Sequence, residues 1–349
     1  MKEIHLNTAD GTSRILVGES FNNVGNYIPA KKLVIITDEN VYRHYGDFLP
    51  DALLITIKPG ESSKTLNIVS DIYGQLIANE IDRKSFILGV GGGIVCDLAG
   101  YVASTYLRGL SFGFVSTTLL SQVDASIGGK NGVNFEGYKN MVGVIRQPEF
   151  VICDPDMLST LPKEEYHMGF AEIIKCGAIL NAALFDLLEK DHEKALDGEE
   201  GTLEEIISTC VEAKCRIVEA DEKESGERKK LNFGHTFAHA FEKNTGMPHG
   251  EAVSIGMVLA AGISEKLDLI SSQDVDRLRD LIKKYHLPVN YPHGFDDVFE
   301  VMKRDKKRDG DSIGLILLDS IGEAVIRNIE LATLKNWIDD LHTPGGDRI

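Results

Sequence analysis

SFILGVGGGIVCDLAGYVASTYL, residues 85–107, joins a short apolar run to a cluster of glycines and then to a longer helical segment. Residues 86–90 have the length and composition of a buried strand. Glycines between a strand and a helix let an anion approach the backbone N–H groups at the helix N-terminus, where the helix dipole favours negative charge. The stretch therefore predicts a strand, a turn and a helix, with a helix N-terminus of the kind that can bind a phosphate group.

The glycine spacing leaves two interpretations open. In the GxGxxG fingerprint the last glycine would stand where this chain has Ile94 or Cys96, so the standard pattern is absent. Gly92 and Gly93 either leave room for the pyrophosphate of a dinucleotide or only allow a tight turn that packs the helix on the strand.

The same order of elements recurs around this stretch. SRILVG (13–18), LVIITD (33–38), ALLITI (52–57) and FVIC (150–153) read as strands, and helical segments follow the second and the third. Such alternation is typical of an α/β domain with a parallel sheet. Helical periodicity dominates from about residue 155 onward, apart from a short strand at 312–318. We therefore predict an α/β domain at 1–156 and a helical domain at 157–349.

The composition limits the classes of function. The 349 residues are 43% hydrophobic and 26% charged, contain no apolar run of membrane-spanning length and start without an apolar leader segment. We expect a cytoplasmic protein without a membrane partner. The net charge of −17 argues against a nucleic-acid partner, and an anionic substrate would have to be bound by a local cluster of Lys and Arg.

The five cysteines form no CxxC pair, which argues against a disulfide framework or a thiolate metal site. We expect most of them to be small buried side chains.

A second dense stretch, FGFVSTTLLSQVDASIGGKNGVNFEGYKNMVG, covers residues 112–143. Thr117 and Thr118 follow a predicted strand, and Asp124 lies on the next turn or helix. Lys130, Lys139 and Asn140 offer donors on what we predict to be a glycine-loosened, ligand-binding loop. The alternative is that the lysines are solvated and that Asp124 caps a helix.

RKKLNFGHTFAHAFEKNTGMPHGE, residues 228–251, carries the strongest indication of chemistry. A helix over residues 228–241 would place one guanidinium, one amide and two imidazoles on a single stripe. These side chains belong to Arg228, Asn232, His235 and His239. Phe233, Phe237 and Phe241 would pack on the apolar face, and His249 follows a Gly-Met-Pro turn.

Neighbouring imidazoles favour a divalent metal, because catalytic zinc takes three protein ligands of the His/His/Glu kind. Glu172, in GFAEIIKCGAI, is the candidate third ligand. A single histidine is more often a hydrogen-bonded core residue, but three within this span beside Arg and Asn favour a metal site. The spacing is not that of the HExxH metalloproteases.

Six motifs in the same order resemble the 3-dehydroquinate synthase family. They are GGGIVCDLAGYVASTYLRG, TTLLSQVDASIGGKNGVN, KNMVG, AEIIKCG, LNFGHTFAHAFE and HGEAV, and the resemblance extends from about Asp38 to Lys307. It implies a Rossmann-like α/β N-terminal domain, an all-α C-terminal domain and an active site between them. It also implies a lyase of the shikimate pathway that depends on NAD⁺ and on Zn²⁺ or Co²⁺, commonly a homodimer. The implied substrate is 3-deoxy-D-arabino-heptulosonate 7-phosphate, and the products are 3-dehydroquinate and phosphate.

The resemblance also implies roles for individual positions. The metal ligands would be Glu172, His235 and His249. The NAD⁺ contacts would be Asp38, Asn40, Glu61, Lys64, Gly92, Gly93, Ile94, Asp97, Thr117, Thr118, Leu120 and Thr160. The substrate or catalytic contacts would be Asp124, Lys130, Lys139, Asn140, Lys175, Lys214, Arg228, Asn232, His239 and Lys306, of which Asp124, Lys130 and Lys139 also count as cofactor contacts. Arg108 matches an arginine that in the family reaches the phosphate bound by the partner subunit.

Other functions on the same fold remain open. A cyclase of the 2-deoxy-scyllo-inosose or 2-epi-5-epi-valiolone synthase type acts on a substrate without a carboxylate and would not need side chains that bind one. Arg228, Asn232 and His239 together favour a carboxylated substrate. A metal-dependent polyol dehydrogenase would release NADH. A non-catalytic NAD-binding regulator would be expected to lack metal ligands, and all three are present here.

Overall fold

The computed structural model describes residues 1–302, 308–309 and 311–341. The predicted substrate contact Lys306 lies outside these residues. The chain forms two compact units: Met1–Tyr166 with Leu203–Lys223, and His167–Thr202 with Glu224–Ile349. We call them the sheet unit and the helical unit. The predicted domain boundary after residue 156 stays a prediction.

The sheet unit contains a seven-stranded sheet and a separate two-stranded hairpin. The strands of the sheet are β1 (Lys2–Thr8), β2 (Gly11–Val17), β3 (Leu33–Asp38), β4 (Leu53–Ile57), β5 (Phe86–Gly91), β6 (Ser111–Ser116) and β9 (Phe150–Cys153). The hairpin consists of β7 (Lys130–Phe135) and β8 (Tyr138–Ile145). The first three helices of the unit are α1 (Glu39–Tyr45), α2 (Leu66–Ala78) and α3 (Gly93–Thr105).

The strand order is β1-β2-β9-β6-β5-β3-β4, and every neighbouring pair except β1–β2 is parallel. The chain passes from β3 to the edge strand β4 and then to β5, on the other side of β3. In doubly wound sheets, ligands bind at the carboxyl ends of the strands where the order reverses in this way. Asp38 ends β3 and Gly91 ends β5, so the glycine turn predicted from residues 85–107 lies at this reversal.

The core of the sheet unit explains why its central strands are apolar on both faces. All six residues of β5 are buried. Phe86 and Leu88 pack with Ile35, Val115 and other buried side chains in one cluster. Parallel sheets are covered on both faces, which selects near-continuous apolar runs. The predicted strands at 13–18, 33–38, 52–57 and 150–153 are confirmed as β2, β3, β4 and β9.

β1 was not predicted. It pairs with β2 in an antiparallel hairpin and buries Ile4 and Leu6, with polar residues on its other face. This alternation of apolar and polar residues was the available signal.

The remaining helices are α4 (Lys163–Leu180), α5 (Ala182–Lys190), α6 (His192–Leu196), α7 (Glu200–Ala220), α8 (His235–Thr245), α9 (His249–Lys266), α10 (Ser272–Lys284), α11 (Asp296–Met302) and α12 (Leu331–Leu341). From Leu203 onward, α7 belongs to the sheet unit. In the part of the chain that the structure describes, no helix is both long enough and apolar enough to cross a membrane.

The predicted fold class, an α/β domain followed by a helical region, is confirmed with one addition. The helical unit also contains a three-stranded antiparallel sheet in the order β10-β11-β12. Its strands are β10 (Arg308–Asp309), β11 (Ser312–Ser320) and β12 (Glu323–Glu330). β11 contains the short strand predicted at 312–318.

The continuous helix predicted over residues 228–241 is wrong. Residues Glu227–Asn232 form a 3-10 turn, Phe233 has extended ψ, and α8 starts only at His235. Gly234 has a φ of +78°, in the left-handed region, and a Cβ atom there would lie 2.8 Å from the backbone N of Met257. Close packing of this turn against α9 therefore requires glycine and interrupts the helix. Phe233, Phe237 and Phe241 are nevertheless all buried, as expected.

Candidate functional site

Three helices of the helical unit bring Glu172, His235 and His249 together. Glu172 lies within α4, and the two histidines are the first residues of α8 and α9. One ligand atom from each residue lies within 4.8 Å of the other two. Nε2 of His235 is 3.6 Å and Nε2 of His249 is 3.4 Å from Oε1 of Glu172. A tetrahedral ion with bonds of about 2.1 Å separates its ligand atoms by roughly 3.4 Å, so this spacing suits zinc or cobalt.

The start of α9 approaches α4 because residue 250 is glycine. A Cβ atom at Gly250 would lie 2.5 Å from the backbone O of Met168, four residues before Glu172. Any larger side chain at this position would push His249 away from the carboxylate. The close approach that the sequence suggested at Gly250 is therefore present.

Hydrogen bonds hold both imidazoles with Nε2 facing Glu172. Nδ1 of His235 is 3.1 Å from the backbone O of Phe233, and Nδ1 of His249 is 2.9 Å from Oε1 of Glu242. A proton on each Nδ1 leaves Nε2 with a lone pair, which is how ligating histidines are usually oriented. Glu242 was not predicted. Its position seven residues after His235, on the same side of α8, was the available signal.

The charges around the carboxylate favour its ionised form. Burial opposes ionisation of Glu172, but the Lys175 ammonium and the two imidazoles hold the pKa of the carboxyl well below its usual range. Burial and the same ammonium also lower the pKa of His235 well below its ordinary value. Burial would lower the pKa of His249 too, yet the carboxylates of Glu172 and Glu242 raise it to about 9.

This arrangement fits a divalent metal ion. Oε1 of the buried Glu172 carboxylate faces Nε2 of both histidines, and the Lys175 ammonium pairs with the other oxygen. A divalent ion between the three ligand atoms would place a second positive charge against this carboxylate, which offsets the cost of burying its negative charge. Two imidazole nitrogens aimed at the same oxygen complete a ligand set of the kind that zinc and cobalt bind.

The predicted polar stripe survives only in part, because of the break at Gly234. His235 and His239 are one turn apart on α8, with ring centroids 5.7 Å apart. Arg228 and Asn232 lie in the preceding 3-10 turn, where Arg228 is 1% exposed and Nδ2 of Asn232 donates to Oε1 of Glu224. Glu224 was not predicted, because nothing in its local sequence distinguishes it from a surface glutamate.

In the sheet unit, the glycine turn between β5 and α3 is compatible both with tight packing of the helix on the strand and with binding of a pyrophosphate. A Cβ atom at Gly92 would lie 2.9 Å from Cγ2 of Thr118, and one at Gly93 would lie 2.9 Å from Cβ of Ala125. Packing alone therefore selects glycine at both positions. At the same time, Gly92 provides no side-chain cap for α3, so the first N–H groups of that helix suit an anion such as a pyrophosphate.

Two predicted NAD⁺ contacts lie at opposite ends of α1, which follows β3. Asp38 caps α1, with Oδ1 accepting from the backbone N of Asn40 at 2.9 Å and of Val41 at 3.1 Å. Thr160 ends a 3-10 turn and lies 2.9 Å, Oγ1 to hydroxyl, from Tyr45 at the end of α1. Ile94 lies in the first turn of α3, beside the glycines.

The loop predicted around Lys130, Lys139 and Asn140 is wrong. Lys130 begins β7, and the other two residues lie in β8. Cross-strand pairing overrode the glycine-rich composition, since Gly132 and Gly143 face each other across the hairpin. A Cβ atom at Gly132 would lie 2.9 Å from the backbone O of Val142, so these glycines allow close strand approach rather than a loose loop.

The hairpin meets the segment that carries Glu61 and Lys64. The buried Lys64 forms an ion pair with Asp97 of α3 and donates to Oδ1 of Asn140 at 2.5 Å. Asn134 of β7 donates to Oε1 of Glu61 at 2.7 Å. The structure thus brings four predicted site residues into one cluster. Asn134 was not predicted, although the motif that contains it was quoted.

The other predicted contacts of the sheet unit follow β6 or lie on α7. Thr117, Thr118 and Leu120 precede a single π-helical turn, Ser121–Ala125, that contains Asp124. Such turns often occur at functional sites. Lys214 of α7 is largely buried, forms an ion pair with Asp124 and donates to the backbone O of the same residue at 2.5 Å.

Arg108 lies after α3, apart from these contacts. The turn that contains it has a φ of +50° at Leu107 and of +69° at Arg108. Two successive non-glycine residues in the left-handed region are uncommon, and such strain often occurs where a side chain has a function.

The chain is similar to known proteins over most of its length. The profile of the 3-dehydroquinate synthase N-terminal domain matches residues 54–168, and that of the C-terminal domain matches residues 169–308. A 3-dehydroquinate synthase from Clostridium botulinum (strain Alaska E43 / Type E3) is 38% identical over 334 residues. That alignment covers 92% of this chain and 94% of the relative.

Several solved structures resemble nearly the whole chain, and two of them contain NAD⁺ and a metal ion. A 2-deoxy-scyllo-inosose synthase complexed with carbaglucose-6-phosphate, NAD⁺ and Co²⁺ has a TM-score of 0.87 at 28% identity, and covers 97% of this chain and 99% of its own. A 2-epi-5-epi-valiolone synthase from Streptomyces hygroscopicus subsp. jinggangensis 5008, with NAD⁺ and Zn²⁺ bound, also has a TM-score of 0.87, at 26% identity and 97% coverage of both chains.

The doubly wound sheet and the Glu/His/His cluster define an α/β protein with a candidate metal centre in its helical part. The profiles and the relatives define the group more narrowly. The chain belongs to the 3-dehydroquinate synthase family.

Proposed function

We propose that this chain converts 3-deoxy-D-arabino-heptulosonate 7-phosphate to 3-dehydroquinate and phosphate, a carbon–oxygen lyase step of the shikimate pathway. The observation that carries the proposal is the similarity to 3-dehydroquinate synthases over nearly the whole chain. The close approach of Glu172, His235 and His249, which could hold a metal ion, supports the proposal.

The cofactors of the proposed reaction are NAD⁺ and a divalent metal, Zn²⁺ or Co²⁺. When bound, NAD⁺ supplies a temporary oxidation of the substrate, and the metal supplies Lewis-acid polarisation of the hydroxyl to be oxidised. Glu172, His235 and His249 hold the metal. The residues at the carboxyl ends of β3, β5 and β6 bind the nucleotide, with its pyrophosphate at the N-terminus of α3.

The side chains of the chain itself bind and orient the substrate. In the helical unit, Arg228 pairs with the carboxylate through its planar fork, Asn232 adds an amide, and His239 moves a proton at its ring nitrogen. In the sheet unit, Lys130, Lys139 and Asn140 are the proposed contacts, with Lys214 and Asp124. Lys175 and Lys306 complete the set. Holding carboxylate and phosphate in one geometry lets the leaving phosphate accept the proton itself, which is catalysis by positioning.

One assay distinguishes this proposal from a cyclase of the inosose synthase type and from a dehydrogenase. The purified protein is incubated with NAD⁺, Zn²⁺ and either the heptulosonate phosphate or glucose 6-phosphate, and inorganic phosphate is measured. We expect phosphate release only from the carboxylated substrate, and no net NADH. Release from glucose 6-phosphate alone would assign a cyclase of the inosose synthase type, and accumulation of NADH would assign a dehydrogenase.

The proposal includes the assembly and the organisation of the chain. We propose a cytoplasmic homodimer in which Arg108 reaches the phosphate bound by the partner subunit. We also propose functional domains at 1–156 and 157–349, the first for the nucleotide and the second for the metal. Sedimentation velocity measures the dimer, and Arg108→Ala tests the contact, because it should raise the KM for the substrate without changing NAD⁺ affinity.

A further inference from the structure

Asn134 connects two segments of the sheet unit that carry proposed nucleotide and substrate contacts. Its Nδ2 donates to Oε1 of Glu61 at 2.7 Å, and its Oδ1 accepts from the backbone N of Asn140 at 2.9 Å. Its own backbone N donates to the backbone O of Lys64 at 2.8 Å. The amide orientation is determined by these partners, because a carboxylate only accepts and a backbone N–H only donates.

The contact with Asn140 holds an unusual backbone conformation. Asn140 has a φ of +51°, in the left-handed region that few residues other than glycine, asparagine and aspartate adopt. In this conformation Oδ1 of Asn140 accepts from Nζ of Lys64 at 2.5 Å, and Lys64 also pairs with Asp97. Glu61, Asn134, Asn140 and Lys64 therefore form a closed ring, since Glu61 and Lys64 belong to the same short turn.

We infer that Asn134 is a positioning residue, which fixes Glu61, Lys64 and Asn140 relative to one another before a ligand binds. The inference rests on the proposed function, because the proposed contacts of NAD⁺ include Glu61 and Lys64 and those of the substrate include Asn140. Residues held in their binding arrangement lose less conformational freedom when the ligand arrives, and this increases affinity. Asn134 itself is not among the proposed contacts of NAD⁺ or of the substrate.

Two substitutions distinguish the two side-chain hydrogen bonds of Asn134. Asn134→Ala removes both side-chain hydrogen bonds. Asn134→Asp keeps an acceptor for the N–H of Asn140 but places a second carboxylate against Glu61, which it repels. Asn79→Ala is the matched control, because Asn79 is an exposed asparagine of the same unit whose Nδ2 donates only locally, to the backbone O of Gln75 at 2.9 Å.

The measurements are the Kd for NAD⁺ by titration and the KM for the heptulosonate phosphate. We expect Asn134→Ala to raise both by a few-fold and at most about tenfold, as the loss of two solvent-exposed hydrogen bonds predicts. Asn134→Asp should raise the Kd for NAD⁺ by a similar factor and leave the KM near that of the wild type. A merely structural residue would not produce this split between the two parameters.

Wild-type values in a folded Asn134→Ala variant, or equal losses of both parameters in the Asp variant, would overturn the inference. If Asn134→Ala does not fold, the split in Asn134→Asp decides. A wild-type chain that binds no NAD⁺ would overturn the proposed function instead. In that case amide hydrogen exchange of residues 138–145 in the ligand-free Asn134→Ala or Asn134→Asp protein tests the link: faster exchange than in the wild type supports it, and unchanged exchange refutes it.

Discussion

At the scale of single residues, the candidate metal centre consists of three side chains that come from distant points of the sequence. Removal of one imidazole leaves an incomplete ligand set that water must fill. We therefore expect His235→Ala or His249→Ala to abolish turnover and to lower the bound metal, measured by atomic emission after dialysis. His5→Ala is the control, because its side chain is 55% exposed and far from the site in sequence. Stoichiometric zinc in an active His235→Ala protein would contradict the ligand assignment.

Glu242 is predicted to act through His249 rather than on the metal itself. Glu242→Gln keeps an acceptor for Nδ1 of His249 but removes the negative charge, whereas Glu242→Leu removes both. Substitution of such outer partners usually weakens metal affinity by about 10- to 100-fold. We expect the Gln variant near the lower value and the Leu variant near the upper, by Co²⁺ titration followed through visible absorption. Glu265→Gln, at the other end of α9, is the control. Equal affinities in all variants would remove Glu242 from the metal centre.

Arg228 is predicted to recognise the substrate carboxylate. The side chain is 1% exposed, and a lysine there would keep the charge but replace a planar fork with a point charge. We expect Arg228→Lys to lower kcat/KM on the heptulosonate phosphate, with a loss of transition-state stabilisation of roughly 2 kcal/mol or more. The affinities for NAD⁺ and Zn²⁺ should stay nearly unchanged. Arg216→Lys, an exposed position of α7, is the control. Unchanged efficiency would mean that the carboxylate is bound elsewhere, and a matching loss of NAD⁺ affinity would indicate a structural role.

At the scale of elements, the glycine before α8 sets where that helix begins. Gly234 combines a left-handed φ of +78° with a close neighbour, whereas Gly246, after α8, has a φ of +71° and nothing within 4 Å of an added Cβ. Alanine at Gly246 should therefore cost only the backbone strain, about 1 kcal/mol of unfolding free energy.

Gly234→Ala should cost the same strain plus the displacement of Met257, and it should move His235. We expect a larger loss of unfolding free energy in urea than for Gly246→Ala, together with reduced metal content. Equal losses of stability and unchanged metal content in the two variants would mean that α9 yields at Met257 without disturbing the ligands.

At the scale of the whole molecule, the packing of both units hides every thiol. All five cysteines are buried. Burial raises the pKa of Cys96 and of Cys153, and it raises the pKa of Cys215 to about 12. Because only the thiolate reacts, iodoacetamide at about pH 8 should add no mass to the native protein. The same treatment in denaturant should add five adducts by intact mass. A rapid single adduct on the native chain would reveal a local opening.

The sequence by itself determined the parts of this protein that local pattern and chemistry specify. The apolar run and glycines of residues 85–107 were enough for the strand, turn and helix, because a buried parallel strand requires a continuous apolar run. Glu172, His235 and His249 were predicted as metal ligands from residue type and motif, and the structure places them close together.

Only the tertiary structure decided what depends on contacts between distant segments. The periodicity of residues 228–241 favoured one helix, but close packing on α9 placed Gly234 in the left-handed region and broke it. The glycines near Lys130 suggested a loop, but pairing across the hairpin made two strands. The contacts of Glu242 with His249 and of Asn134 with Glu61 likewise form only in the folded chain. Helical period and composition report on neighbours in sequence, whereas these outcomes were set by backbone atoms and side chains that approach only when the chain has folded.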